Sequence, residues 1–121
     1  MVGKNAILVS LNFLMYNLGQ SNFKIRFVSE NPSKEDIVEN TITIVGGKNF
    51  RKWAYLRCPC GCGDILMLSL LKETTPNWNL KIDRYGRPSI TPSIWKTDGC
   101  KSHFFIKKGK LKWAVFEPTT I

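Results

Sequence analysis

A mainly β fold is what this sequence predicts: a single small domain of antiparallel strands and hairpins. Three observations lead to it. Apolar and polar residues alternate over short runs, the period of a half-buried strand. Glycine, proline, asparagine and aspartate punctuate nearly every interval between those runs. Two sequence-remote turns carry clustered thiols, which a shared metal ion would draw together to close the sheet.

The elements follow in chain order. Residues 6–18 (AILVSLNFLMYNL) are apolar behind Lys4 and look superficially like the core of a signal peptide. The run is too short to span a bilayer, is broken by Asn12 and Asn17, and has no small-residue cleavage site after it. Residues 1–20 are therefore read as an N-terminal strand or a poorly ordered extension, and 21–121 as a zinc-binding β-rich domain. Phe23, Ile25 and Phe27 alternate with Lys24, Arg26 and Val28 as a strand. Asn31-Pro32-Ser33 turns the chain, and Ser33 caps a short helical turn toward Asn40. Residues 41–45 (TITIV) are β-branched throughout and stop at Gly46-Gly47. Residues 50–56 form another strand, which enters Cys58-Pro59-Cys60-Gly61-Cys62-Gly63 directly and leaves it as the apolar strand 65–71. Residues 78–83 are a further strand. Pro88 and Pro92 bracket the next stretch, which reads as an edge strand or an extended loop because proline cannot donate to a ladder. A hairpin closes the series, with arms from His103 to Ile106 and from Leu111 to Phe116 around Lys108-Gly109.

With 121 residues, 43% of them hydrophobic, the chain can enclose one ordinary core. No period of a solenoid or propeller is present, so stacked repeats are excluded. The formal charge of +9 raises nucleic acid, an anionic membrane surface or an acidic protein as partners. Most basic residues are scattered, as on a solvated surface. The densest group is Lys101, Lys107, Lys108, Lys110 and Lys112. The four cysteines do not form a secreted disulfide framework, since bridges among Cys58, Cys60 and Cys62 would be strained. A reducing, cytoplasmic setting with metal-bound thiolates fits them better.

Chemistry concentrates in Cys58, Cys60, Cys62, Cys100 and His103, five candidate ligands for one zinc ion on two turns. Gly61 and Gly63 let the first turn approach a metal closely. Zinc takes four ligands, and Cys58 is the first to set aside, leaving a Cys-x-Cys pair and a Cys-x-x-His pair. An iron–sulfur cluster is the alternative, because the two loops are similar to those of a Rieske centre with Cys62 in place of a histidine. A catalytic zinc would need an acid or base near its water, for which Asp64 and Asp98 are the candidates. Nucleophilic catalysis competes for the same imidazole. Ser89, Ser93 and Ser102 lie near His103, and Asp83 or Asp98 could orient it, but a zinc-bound His103 cannot also be a general base.

The ordered combination of the cysteine turn, Pro76 to Leu80 with Trp78, Pro92-Ser93-Ile94-Trp95, and Gly99-Cys100-Lys101-Ser102-His103-Phe104 on to Trp113 resembles a small cysteine-rich family of bacterial and phage proteins of unknown function. The resemblance covers about the last two-thirds of the chain. It implies that Cys58, Cys60, Cys62, Cys100 and His103 are the metal positions. It also implies that some members are encoded beside ubiquitin-like proteins and their activating and conjugating enzymes. The leading expectation is then a zinc-stabilised binding or accessory module whose partner is a ubiquitin-like protein or its conjugating machinery. One alternative is a zinc-dependent hydrolase, such as a peptidase acting on a ubiquitin-like modifier. The other is nucleic-acid binding through Lys107, Lys108, Lys110 and Lys112, with Phe104, Phe105 and Trp113 stacking on bases.

Overall fold

A computed structural model describes residues 23–47 and 49–114; the expectation for residues 1–20 lies outside them, as does the end of the last predicted strand. Eight strands form two four-stranded sheets: β1 (Lys24–Val28), β2 (Thr41–Gly46), β3 (Arg51–Arg57) and β4 (Ile65–Ser69) in one, and β5 (Asn79–Ile82), β6 (Pro88–Trp95), β7 (His103–Lys107) and β8 (Lys110–Trp113) in the other. Strand order follows chain order in both sheets. The single helical element among the described residues is the 3-10 turn Lys34–Asp36, where Ser33 and Asp36 cap each other as expected.

One face of each sheet contributes to a common core. Ile42, Ile44, Ala54, Leu56 and Leu68 of the first sheet meet Leu80, Ile90, Ile94, Phe104 and Ile106 of the second. Alternation does the work in the second sheet. Phe104 and Ile106 are buried while Phe105 and Lys107 between and beyond them are exposed, so one face of β7 is apolar and the other is free. The strands of β2 and β3 are joined through Gly46, whose φ of +123° and whose closeness to the Phe50 carbonyl exclude a side chain. Arg57 ties the 3-10 turn to the cysteine turn by donating to the carbonyls of Lys34, Ile37 and Gly63.

Two expectations need correction. β1 pairs with β2 in parallel, so the first sheet is mixed; the seam joins strands separated by the 3-10 turn, long enough for the chain to return to the same end. The proline-bracketed stretch is neither an edge strand nor a loop. It is β6, an interior strand between β5 and β7, and the ladder accommodates its prolines through position. Pro88 is the first residue of the strand, and Pro92 sits where the pairing with β7 shifts register between Ile90 and Ile94, so it needs no ladder hydrogen bond.

Candidate functional site

The chain leaves β3 at Arg57 and the cysteine turn folds back into β4, with Cys58 N–H donating to the Asp64 carbonyl at 2.8 Å. Cys100 arrives from the other sheet, on the loop between β6 and β7. The Sγ atoms of Cys58, Cys60, Cys62 and Cys100 all lie within 4.8 Å of one another. Cys58 Sγ is 3.5 Å from Cys60 Sγ and 3.6 Å from Cys100 Sγ. A tetrahedral zinc with Zn–S bonds of about 2.3 Å has an S···S edge of about 3.8 Å, so these spacings suit one small ion and are too tight for a cluster of several irons. Backbone N–H groups point at the sulfurs as well, from Cys62 to Cys60 Sγ and from Asp64 to Cys62 Sγ. Such donors stabilise thiolates.

Protonation within this cluster is uneven. Cys100 is pulled down to about 6, chiefly by the Ser102 hydroxyl 3.1 Å from its sulfur. The same hydroxyl lowers Cys60. Burial raises Cys58. For Cys62 the Asp64 N–H draws downward, but the neighbouring Cys60, burial and the other two thiols outweigh it and push it up to about 12. Crowded sulfurs cannot all ionise without a counter-charge, and a divalent cation supplies one.

Of the five candidate ligands the structure gathers the four cysteines, Cys58 among them, while His103 Nε2 lies 2.9 Å from Ser93 Oγ. Ser93 and Trp95 flank buried Ile94, so both project to the outer face of β6. Trp95 is the cross-strand partner of His103, and their rings stack at 4.9 Å with 13° between planes. Phe105 flanks the imidazole on its own strand at 6.0 Å. Trp78 Nε1 donates to the Ser93 carbonyl at 3.2 Å, and Ala114 N–H to the His103 carbonyl at 2.9 Å, so both backbones are held. Among the described residues no carboxylate is bonded to the imidazole; the stack orients it instead. Ser102 serves the cysteines, and Ser89 Oγ accepts from Lys108 N–H, which leaves Ser93 as the hydroxyl paired with histidine.

The remaining candidates fall outside this pair. Asp64 forms an ion pair with Lys96, whose ammonium holds its carboxyl below the usual range. Asp98 is 3.9 Å from the same ammonium with its side chain almost wholly exposed. Asp83 is bound to Arg87. Phe104 is fully buried and cannot stack on a base, and Trp113 leans edge-on against it. Lys107, Lys110 and Lys112 share the outer face with His103, whereas Lys108 lies in the β7–β8 turn. Sequence reasoning named Ser93 among three serines but had no means of choosing it. The usable signal was a serine and a histidine on adjacent arms of one hairpin.

The chain is thus a mainly β protein with a serine–histidine contact on one sheet and a group of four thiols, able to hold a metal ion, between that sheet and the other. A family model described as "Bacterial ubiquitination-like system serine protease (BubE)" matches residues 27–114, and the chain belongs to that family. No curated protein and no solved structure matches it. Among the described residues no helix is long and apolar enough to cross a membrane.

Proposed function

We propose that this chain is a serine protease of a bacterial ubiquitination-like system, with Ser93 as nucleophile and His103 as general base. The 2.9 Å contact between Ser93 Oγ and His103 Nε2 carries the reading. In the productive tautomer Nδ1 bears the ring proton and Nε2 accepts the hydroxyl proton as Oγ attacks an acyl carbonyl. The C–N bond breaks, the imidazolium returns that proton to the leaving amine, and an ester remains on Ser93. Water then attacks the ester carbon as His103 takes its proton, the C–O bond to Ser93 breaks, and the imidazolium returns the proton to Ser93 Oγ as the acid leaves. The Trp95 ring, stacked on the imidazole, holds its plane against β6 with Nε2 toward Ser93. Family membership supports the same conclusion, and the partner is then a protein of the ubiquitin-like pathway.

This places an enzyme ahead of the binding module that the sequence favoured, and a serine nucleophile ahead of a metal-bound water. The donor set is the reason. Four thiolates complete a zinc tetrahedron, leaving no position for water, and soft closed sites are structural. Zinc would be held by Cys58, Cys60, Cys62 and Cys100 and would supply no reaction step. A fluorophosphonate probe with peptide mapping tests the reading. The adduct is expected on Ser93; Ser93→Ala should abolish labelling at that position, and His103→Ala should slow it by about 10²–10⁴-fold. Full labelling of folded Ser93→Ala would overturn it.

A further inference from the structure

The outer face of the second sheet is unusual around the Ser93–His103 pair. Trp95 is 63% and Phe105 42% exposed, a large apolar area to leave in water. Next to them Lys112 lies opposite Phe105 and Lys110 opposite Lys107. None of these three lysines is in an ion pair among the described residues, and the outward positions of β5 to β8 carry no carboxylate. Among the described residues the acids nearest in sequence, Asp83 and Asp98, are in loops beside Arg87 and Lys96, and Glu117 lies outside the described residues. Aromatic rings therefore lie at the Ser93–His103 pair, and lysines without an acidic partner among the described residues lie to one side of it.

We propose that this face is the substrate track, and that it binds an extended acidic segment of the protein being cleaved, with carboxylates two to four residues from the scissile bond. The proposal rests on the reading of Ser93 and His103 as nucleophile and base, and adds what they act on. The spacing follows from strand geometry. Alternate residues of a strand are about 6.7 Å apart, so Phe105 is one such step from His103 and Lys107 is two. A peptide extended along β7 has the same repeat. Its residue over the dyad is followed by one that meets Phe105 and Lys112, and then by one that meets Lys107 and Lys110. Complementary charge would speed encounter and fix register. A nucleic acid would suit lysines and aromatics too, but it offers no acyl carbonyl to the nucleophile at the head of the track.

Three probes test this on the full chain. The first is a fluorescein-labelled decapeptide alternating glutamate with leucine, the second its glutamine counterpart, and the third an oligothymidylate of similar length. The glutamate peptide is expected to bind at least tenfold tighter than the glutamine peptide in fluorescence anisotropy, to weaken as salt is added, and to protect Ser93 from the fluorophosphonate. Lys110→Glu with Lys112→Glu should abolish the preference, and Lys112→Gln alone should reduce it. Lys34→Glu, in the 3-10 turn between β1 and β2, should retain it. Equal binding of the two peptides, tight binding without protection of Ser93, or stronger competition by the oligonucleotide would each overturn the track. Absence of labelling on Ser93 in the wild-type protein would instead remove the protease reading beneath it, so the two failures are distinct.

Discussion

Ser102 stands between the two centres and belongs to one of them. Its hydroxyl lies 3.1 Å from Cys100 Sγ and 3.5 Å from Cys58 Sγ, while the next residue is His103. Partners of this kind fix a ligand's orientation, and their loss commonly costs about 10–100-fold in metal affinity. Ser102→Ala should weaken zinc by that factor, measured by competition with a chromogenic chelator. The same hydroxyl is the main cause of the low Cys100 value, so the metal-free variants separate too. In the metal-free wild type Cys100 should be alkylated by iodoacetamide with a midpoint at about pH 6, and Ser102→Ala should shift that midpoint upward. The sign for stability follows. A thiol lowered from 9.0 to about 6 contributes stability that is complete above 9 and is lost as pH falls toward 6, so the metal-free wild type should lose more stability over that window than Ser102→Ala. An unshifted alkylation profile in the variant would show that the hydroxyl is not what holds the thiolate.

At the level of elements, the tightest constraint is the corner between β2 and β3. A Cβ on Gly46 would sit 2.1 Å from the Phe50 carbonyl oxygen, and the φ of +123° already disfavours any other residue. Gly46→Ala should destabilise the fold by about 1–3 kcal/mol from the backbone alone, seen as a lower urea midpoint with an unchanged slope. That glycine was legible, because it ended a β-branched run, and so were most strands. Each of β2, β3, β4, β7 and β8 shows a pattern that needs one buried face and nothing more remote. What could not be read depends on partners. β6 reads as an edge strand or an extended loop from its prolines, but a proline rules out a ladder bond only where the register requires one, and the shift between Ile90 and Ile94 removes that requirement at Pro92. The parallel seam of β1 and β2 leaves no trace in alternation. The Ser93–His103 pair was hidden for the same reason as β6. Whether a serine ten residues before a histidine meets it depends on where the irregularity in the strand falls, and only the folded hairpin reveals that. The thiols were the most legible part of the site, though the sequence alone did not show that Cys58 lies with the other three.

For the molecule as a whole, the cluster brings side chains from the end of the first sheet and the β6–β7 loop of the second to a single point, beside the Asp64–Lys96 ion pair that links the same two segments. Cys58 and Cys100 are 42 positions apart. A cross-link closing a loop of that length removes unfolded-chain entropy worth about 4 kcal/mol, a large share of the roughly 5–15 kcal/mol by which domains are stable. The common core has its own interior, with Phe104, Ile42 and Ile44 fully enclosed, so metal loss should weaken the fold more than dissolve it. The Ser93–His103 pair, proposed as nucleophile and base, is more vulnerable. Lys96 N–H donates to the Ser102 carbonyl at 2.8 Å across the base of the loop that Cys100 anchors, and Trp95 and His103 are the strand residues immediately inside that closure. Releasing Cys100 frees the loop at its fixed end, and a displacement of about 1 Å at a reacting pair is enough to cost on the order of 10²-fold in rate. Stripping the ion with a chelator should therefore abolish most fluorophosphonate labelling of Ser93 at temperatures where circular dichroism still reports a folded sheet. Zinc added back should restore labelling, and the melting temperature should fall well below that of the loaded protein. Full labelling by protein verified as metal-free would mean that the thiol cluster and the serine–histidine pair are independent neighbours, and that the hairpin alone holds the nucleophile in place.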